Sequence, residues 1–262
     1  MRDQVVLVTG GSSGIGRAAA EAFAGTGAKV VLAARGTERG EAVAQSLRKT
    51  GADAHFVQAD VSRATEVSRL LARVIAIHGR LDAAFNNAAT TDGVFASTAE
   101  FSEEQFDRCV SANLKSVWLC MREEINQMLA QTPAGGVIVN TSSVNGLGGA
   151  SGGALYSAAK AGVIALTKSA AQEYATQGIR VNALVAGAFR TPMLTGVFEH
   201  YGGGNAEAAA AVETQYTQSV PLRRIGNAAE AAAAVVWLCS DAASYVTGHS
   251  LIVDGGMTAT VR

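Results

Sequence analysis

At 262 residues with 48% hydrophobic content, the chain has enough apolar surface for a sizeable core, and a formal net charge of -1 gives no electrostatic case for nucleic acid or an acidic membrane surface as partner. Three cysteines without C-x-x-C spacing and four scattered histidines supply neither a disulfide framework nor a metal-ligand pattern, so no metal is expected. The opening apolar run of about five residues is too short for a signal peptide. No segment approaches the roughly 18 apolar residues of a membrane span, and the expectation is a soluble cytoplasmic protein.

In chain order, a first strand is predicted over residues 5–8 and runs into T-G-G-S-S-G-I-G-R, with a helix over 15–26 following at once. Glycines there let the backbone approach a pyrophosphate, while the free N–H groups and positive end of the helix face the anion. The candidate cradle residues are Gly10, Ser12, Ser13, Gly14, Ile15 and Gly16. No Gly-Lys-Ser/Thr closes the motif, which excludes a P-loop. A second strand over 29–33 leads into V-V-L-A-A-R-G. Where a dinucleotide fold selecting NAD usually carries an acidic residue for the ribose 2′-hydroxyl, Ala34 stands and Arg35 follows. A 2′-phosphate would meet a cation there, so NADP(H) is favoured over NAD(H).

Further on, helices are predicted over 38–50, 64–78, 103–130, 154–176 and 228–240, and strands over 54–58, 81–86, 137–141, 180–185 and 250–253. Gly27, Gly51, Gly79 and Gly178 close several helices. This alternation, with almost continuously apolar strands, predicts an α/β fold: one Rossmann-like domain over 1–262, a doubly wound parallel sheet of about seven strands with helices on both faces. Segment 188–222, with its Y-G-G-G-N, reads as a lid or mobile substrate loop. Trp118 and Trp237 fall in apolar helical patterns and read as core or interface residues.

Tyr156 and Lys160 in A-L-Y-S-A-A-K are four apart and share one helix face. A free tyrosine has a pKa of about 10, and a neighbouring ammonium is expected to lower it. Tyr156 could then exchange a proton with a carbonyl or alcohol oxygen. Alone, Y-x-x-x-K is a common accident. Its context changes that: V-I-V-N-T-S-S-V-N-G puts Ser142 and Ser143 at the C-terminal end of a parallel strand, Ser143 thirteen residues before Tyr156. A hydroxyl there points into the crevice where doubly wound folds bind ligands, and can meet growing negative charge.

Together these residues resemble the short-chain dehydrogenase/reductase family, from residue 5 to residue 256. The turn matches its T-G-x-x-x-G-x-G, N-N-A at 86–88 its fourth-strand motif, and Asp60-Val61 its adenine-contacting pair. Ser143, Tyr156 and Lys160 stand at the family's spacing, S-A-N-L supplies the helix asparagine Asn113, and R-T-P-M and V-D-G-G are also typical. The resemblance implies Tyr156 as general acid/base, Ser143 orienting the substrate oxygen, and Lys160 lowering the tyrosine pKa and binding the nicotinamide ribose. It implies Asn113 holding a water that relays protons to Lys160, Asn87 and Ala88 at the ribose region, and Thr191 at the carboxamide or phosphate side. Three departures stand out: Ala89 replaces the usual glycine of N-N-A-G, Ala186-Gly187 replaces Pro-Gly, and Ser13 stands where NADP enzymes of the family often carry a basic residue.

The implied function is hydride transfer between NADP(H) and a ketone/secondary alcohol, in a homotetramer built through helices 103–130 and 154–176. An NAD-dependent dehydrogenase of a sugar, polyol or steroid-like alcohol is the alternative within enzymes. A non-catalytic dinucleotide-binding regulator would be expected to lose Tyr156, Lys160 or Ser143, and this chain keeps all three. No Lys or Arg occurs over 193–222, which speaks against an anionic small substrate, and Phe189, Met193 and Leu194 suggest an apolar pocket wall.

Overall fold

The computed structural model describes residues 1–259. The central strands of its sheet are apolar on both sides because both sides are covered. In β1 (Val5–Thr9), all five residues are buried. Val5 and Leu7 join the core on one face of the sheet, and Val6 and Val8 join the core on the other. That period-two split is what a strand sandwiched between two helix layers requires.

From β1 the chain enters α1 (Gly14–Gly25), β2 (Lys29–Ala34), α2 (Thr37–Lys49), β3 (Ala54–Gln58), α3 (Ala64–His78) and β4 (Ala83–Asn86). It continues through α4 (Glu103–Val110), α5 (Ser116–Ala130), β5 (Gly136–Ser143), α6 (Ala154–Tyr174) and β6 (Ile179–Ala186). Short β7 (Phe189–Arg190), α7 (Pro192–Tyr201), α8 (Ala206–Ser219), short β8 (Gly226–Asn227), α9 (Ala228–Cys239) and β9 (Ser250–Val253) complete it. The main sheet has seven parallel strands in the order β3-β2-β1-β4-β5-β6-β9. The order reverses between β1 and β4, so their C-terminal ends open the crevice in which such sheets bind ligands. Cys109, Cys120 and Cys239 are free and buried. No helix among the described residues is long and apolar enough to cross a membrane.

Two readings change. The single helix expected over 103–130 is interrupted by a π turn at Ser111–Lys115, where the Ser116 N–H donates to the Ser111 carbonyl five residues back. Such wide turns occur frequently at functional sites, and this one carries the buried Asn113. The segment expected as a loop over 188–222 holds two helices. Thr191 caps α7, with Pro192 at its first position, and Asn205 caps α8. Among the described residues, Ala188, Phe198 and Ile225 form a small buried cluster of their own, apart from the two main cores.

Candidate active site

The turn after β1 is glycine-rich for steric reasons. A Cβ on Gly16 would lie 2.3 Å from the Gly10 carbonyl oxygen, and one on Gly10 would lie 2.9 Å from the Ala88 Cα. Gly14 has φ +53°, a conformation side chains rarely adopt. Thr9 fastens the turn to the end of β4: its hydroxyl accepts from the amides of Asn87 (3.0 Å) and Ala88 (3.3 Å). Ser13, the residue before α1, makes no capping bond to the helix, so the first-turn amides are open to an anion. These features fit the pyrophosphate of a dinucleotide.

At the other end of the same cleft lie Arg35 and Arg39, beside Asp60 and Val61. Ser62 donates to the Asp60 carboxylate through its amide (3.0 Å) and hydroxyl (2.7 Å). Burial opposes ionisation of Asp60, but those bonds and the charges of Arg35 and Arg63 prevail and hold its carboxyl below the ordinary value. Ala34 leaves no carboxylate at the end of β2.

Between these ends, β5 delivers Ser143 and α6 delivers Tyr156 and Lys160. Ser143 is hydrogen bonded to the Tyr156 hydroxyl. The Lys160 Nζ lies 5.6 Å from the Tyr156 ring centroid and donates to the Thr141 carbonyl at 3.0 Å. The expected lowering of the Tyr156 pKa by Lys160 is not what this geometry gives. Burial pushes the phenol up to about 12, the neighbouring Cys109 adds to the rise, and only the Ser143 bond opposes it. Burial also pushes the Lys160 ammonium down to about 8. At neutral pH the site holds a protonated phenol and an ammonium.

One cavity of about 570 Å³ is lined by Gly10, Ser12, Ser13, Gly14, Ile15, Arg35, Asp60, Val61, Asn87, Ala88, Ser143, Tyr156, Lys160 and Thr191. Thr191 sits against the cradle, since a Cβ on Gly14 would be 3.1 Å from its methyl carbon. Gly16 lies beneath the turn and Asn113 behind the cavity wall. The Asn113 Oδ1 accepts from the Thr90 amide at 3.1 Å, and its Nδ2 donates toward the Cys109 sulfur at 3.7 Å. It therefore fixes the loop that follows β4.

Three features escape sequence reasoning. Arg39, in the first turn of α2, lines the same end of the cleft as Arg35. A buried polar chain supports β4: Asn86 donates to Glu124 (2.8 Å) and to Asn140 (3.1 Å), which donates to Thr167 (3.0 Å). Burial outweighs the Asn86 bond and pushes the Glu124 carboxyl up to about 8. Finally, Asp53, His55 and His78, distant from the cleft-lining motifs in sequence, bring donor atoms within 4.8 Å of one another. No spacing rule joins a strand edge to a helix C-terminus.

Comparison with known proteins agrees with this geometry. A family model described as enoyl-(acyl carrier protein) reductase matches residues 10–258. A 2,5-dichloro-2,5-cyclohexadiene-1,4-diol dehydrogenase of Sphingobium indicum is 41% identical over 256 residues, covering 98% of this chain and 97% of that protein. The crystal structure of a levodione reductase superposes with a TM-score of 0.93 at 38% identity, covering 100% of both chains. An actinorhodin polyketide ketoreductase solved with NADPH superposes with a TM-score of 0.92 at 33% identity, covering 98% of this chain and 99% of that one.

Proposed function

This chain belongs to the short-chain dehydrogenase/reductase family of NAD(P)-dependent oxidoreductases acting on alcohols and ketones, and from that premise we propose that it reduces a ketone to a secondary alcohol with NADPH. The observation that carries this reading is the buried Tyr156 phenol, held near 12 and bonded to Ser143, in the same cleft as an open helix N-terminus. Such a phenol stays loaded with its proton at neutral pH, which suits a general acid better than a base.

When bound, the nicotinamide cofactor supplies the hydride. Ser143 and Tyr156 donate to the carbonyl oxygen, polarising it and stabilising the charge that grows there. Tyr156 then releases its proton to that oxygen. Lys160, an ammonium below about pH 8, offsets the negative charge left on the phenolate and is placed to hold the ribose. The α1 amides would hold the pyrophosphate, Asn87, Ala88 and Thr191 the ribose and nicotinamide side, and Asp60 with Val61 the adenine. Arg35 and Arg39 supply two guanidiniums for a 2′-phosphate, and no acid at position 34 repels it.

Oxidation with NAD is the second reading; the relative named as a diol dehydrogenase favours its oxidative direction. Two measurements separate them: dissociation constants for NADPH and NADH, and steady-state reduction across a panel of ketones. Tighter NADPH binding with ketone reduction is expected; equal or tighter NADH binding, or alcohol oxidation without measurable reduction, would overturn the proposal. A cytoplasmic homotetramer accompanies this reading. Phe106 and Trp118 on α4 and α5 remain 47% and 44% exposed, as suits a subunit interface. Light scattering should return four times the chain mass, and a monomeric mass would contradict it.

A further inference from the structure

The substrate side of the cleft is built differently from the cofactor side. Of the described residues lining the cleft, those carrying charge are Arg35, Arg39, Asp60 and Lys160. The first three sit at the far cofactor end, and Lys160 is buried with its Nζ on the Thr141 carbonyl. The facing wall, residues 193–222, carries Glu199, Glu207 and Glu213 and no Lys or Arg. Arg190, just before it, is paired with Glu213 at 2.8 Å. The wall residues that line the cleft are uncharged, among them Met193, Leu194, Val197, Tyr201 and Tyr216, so an anionic group entering from this side meets no cation there.

What the wall offers instead is an aromatic clasp. Phe95 stacks on His200 with ring centroids 3.8 Å apart and planes 24° from parallel, and meets Tyr201 edge-on at 5.7 Å. Phe95 and Tyr201 both line the cleft. Phe95 adopts φ +76°, a left-handed conformation unfavourable for a bulky residue. The fold holds it there with a bond from its amide to the Gly152 carbonyl at 2.6 Å, on the loop that precedes Tyr156. Backbone strain of this kind is tolerated where a side chain must be presented to a ligand. One face of the ring is covered by His200, and the ring lines the same cleft as Tyr156, whose amide donates to the Gly93 carbonyl two residues before Phe95.

Resting on the oxidoreductase reading above, we infer that this half of the cleft takes a free, neutral alicyclic ketone stacked against Phe95, and disfavours acyl thioesters of an anionic coenzyme or carrier. A rigid ring covers a flat aromatic face without freezing rotors, whereas an open chain must lose them on binding. Phe95 and Tyr201 are then specificity-determining residues, and neither takes part in proton transfer.

The test compares kcat/KM, with saturating NADPH, for three ketones: decalone, an open-chain methyl ketone of equal carbon count, and acetoacetyl coenzyme A. In the wild type, decalone should exceed each of the others by about tenfold or more. Phe95→Leu should cut the decalone value by about three- to tenfold through KM and leave the open-chain value within about twofold. Tyr201→Leu should act in the same direction, and the wild-type ratios stand even if either variant misfolds. Equal use of all three ketones, or preference for the thioester, would overturn this inference and leave the reductase reading intact. Bound NADPH with no ketone reduced would overturn both.

Discussion

The cofactor cradle and the α7–α8 wall face each other across one cleft and are built in opposite ways. The cradle is backbone, set by glycines whose neighbours leave no room for a Cβ and tied by Thr9 to the end of β4. The wall is two capped helices, α8 without a single buried residue, resting on a three-residue cluster and joined by a Gly202–Gly204 turn. A group that must meet a reacting atom belongs on rigid, densely packed elements, while a surface that selects among substrates belongs where packing is thin and change is tolerated. Substitutions on the two sides should therefore move different quantities.

Short of removing the Tyr156 hydroxyl itself, the largest effect is expected from Lys160→Met. It should lower kcat by about 100-fold or more by removing the charge that offsets the phenolate. Stability should not fall, because an apolar chain replaces a buried ammonium; thermal unfolding run beside the kinetics checks both. A next, smaller effect concerns the far end of the cradle. Removing both guanidiniums, Arg35→Ala with Arg39→Ala, should weaken NADPH binding by about 10- to 100-fold and leave NADH within about twofold. If both cofactors weaken alike, the two arginines do not read the 2′-phosphate.

Below that lies a pH effect on the support beneath the cradle. The Glu124 carboxyl is raised from its ordinary 4.5 to about 8, so the unfolded chain gives up this proton before the folded one does. Its contribution to stability is complete below about pH 4.5 and is lost as pH rises through about 8. Glu124→Gln, which keeps a neutral side chain of the same shape, should flatten the fall in Tm between those limits. Parallel Tm curves for variant and wild type would rule out this role for Glu124. The smallest effect belongs to the wall: Glu213→Ala breaks an ion pair with Arg190 whose partners are 34% and 62% exposed. It should change stability by less than about 1 kcal/mol and leave kcat unaltered.

The same contrast explains which features are legible in the amino-acid sequence. The turn at 9–17, Ser143, Tyr156 and Lys160 are legible because local spacing on a strand end or helix face fixes their chemistry. The parallel strands are legible because the central ones, such as β1, β2 and β4, are apolar runs buried on both faces, and the edge strands β3 and β9 keep the same β-branched and apolar character with only partial burial. The Tyr156 pKa is not, since proximity of Lys160 in sequence says nothing about burial, and burial dominates. Nor is the π turn at 111–115, which sets the Asn113 side chain against Thr90. The wall is unreadable as helices because an alanine-rich stretch between glycines carries little periodic signal, and the meeting of Phe95 with His200 depends on tertiary placement alone.

On this mechanism Tyr156 delivers the proton in a cleft that binds the cofactor without it. The mechanism's most direct test is Tyr156→Phe, with NADPH affinity measured by titration and ketone reduction followed on the same preparation. The expected result is an NADPH Kd within about twofold of wild type and a kcat lower by about 1,000-fold. A variant that binds NADPH and keeps more than about one tenth of the wild-type kcat would contradict it.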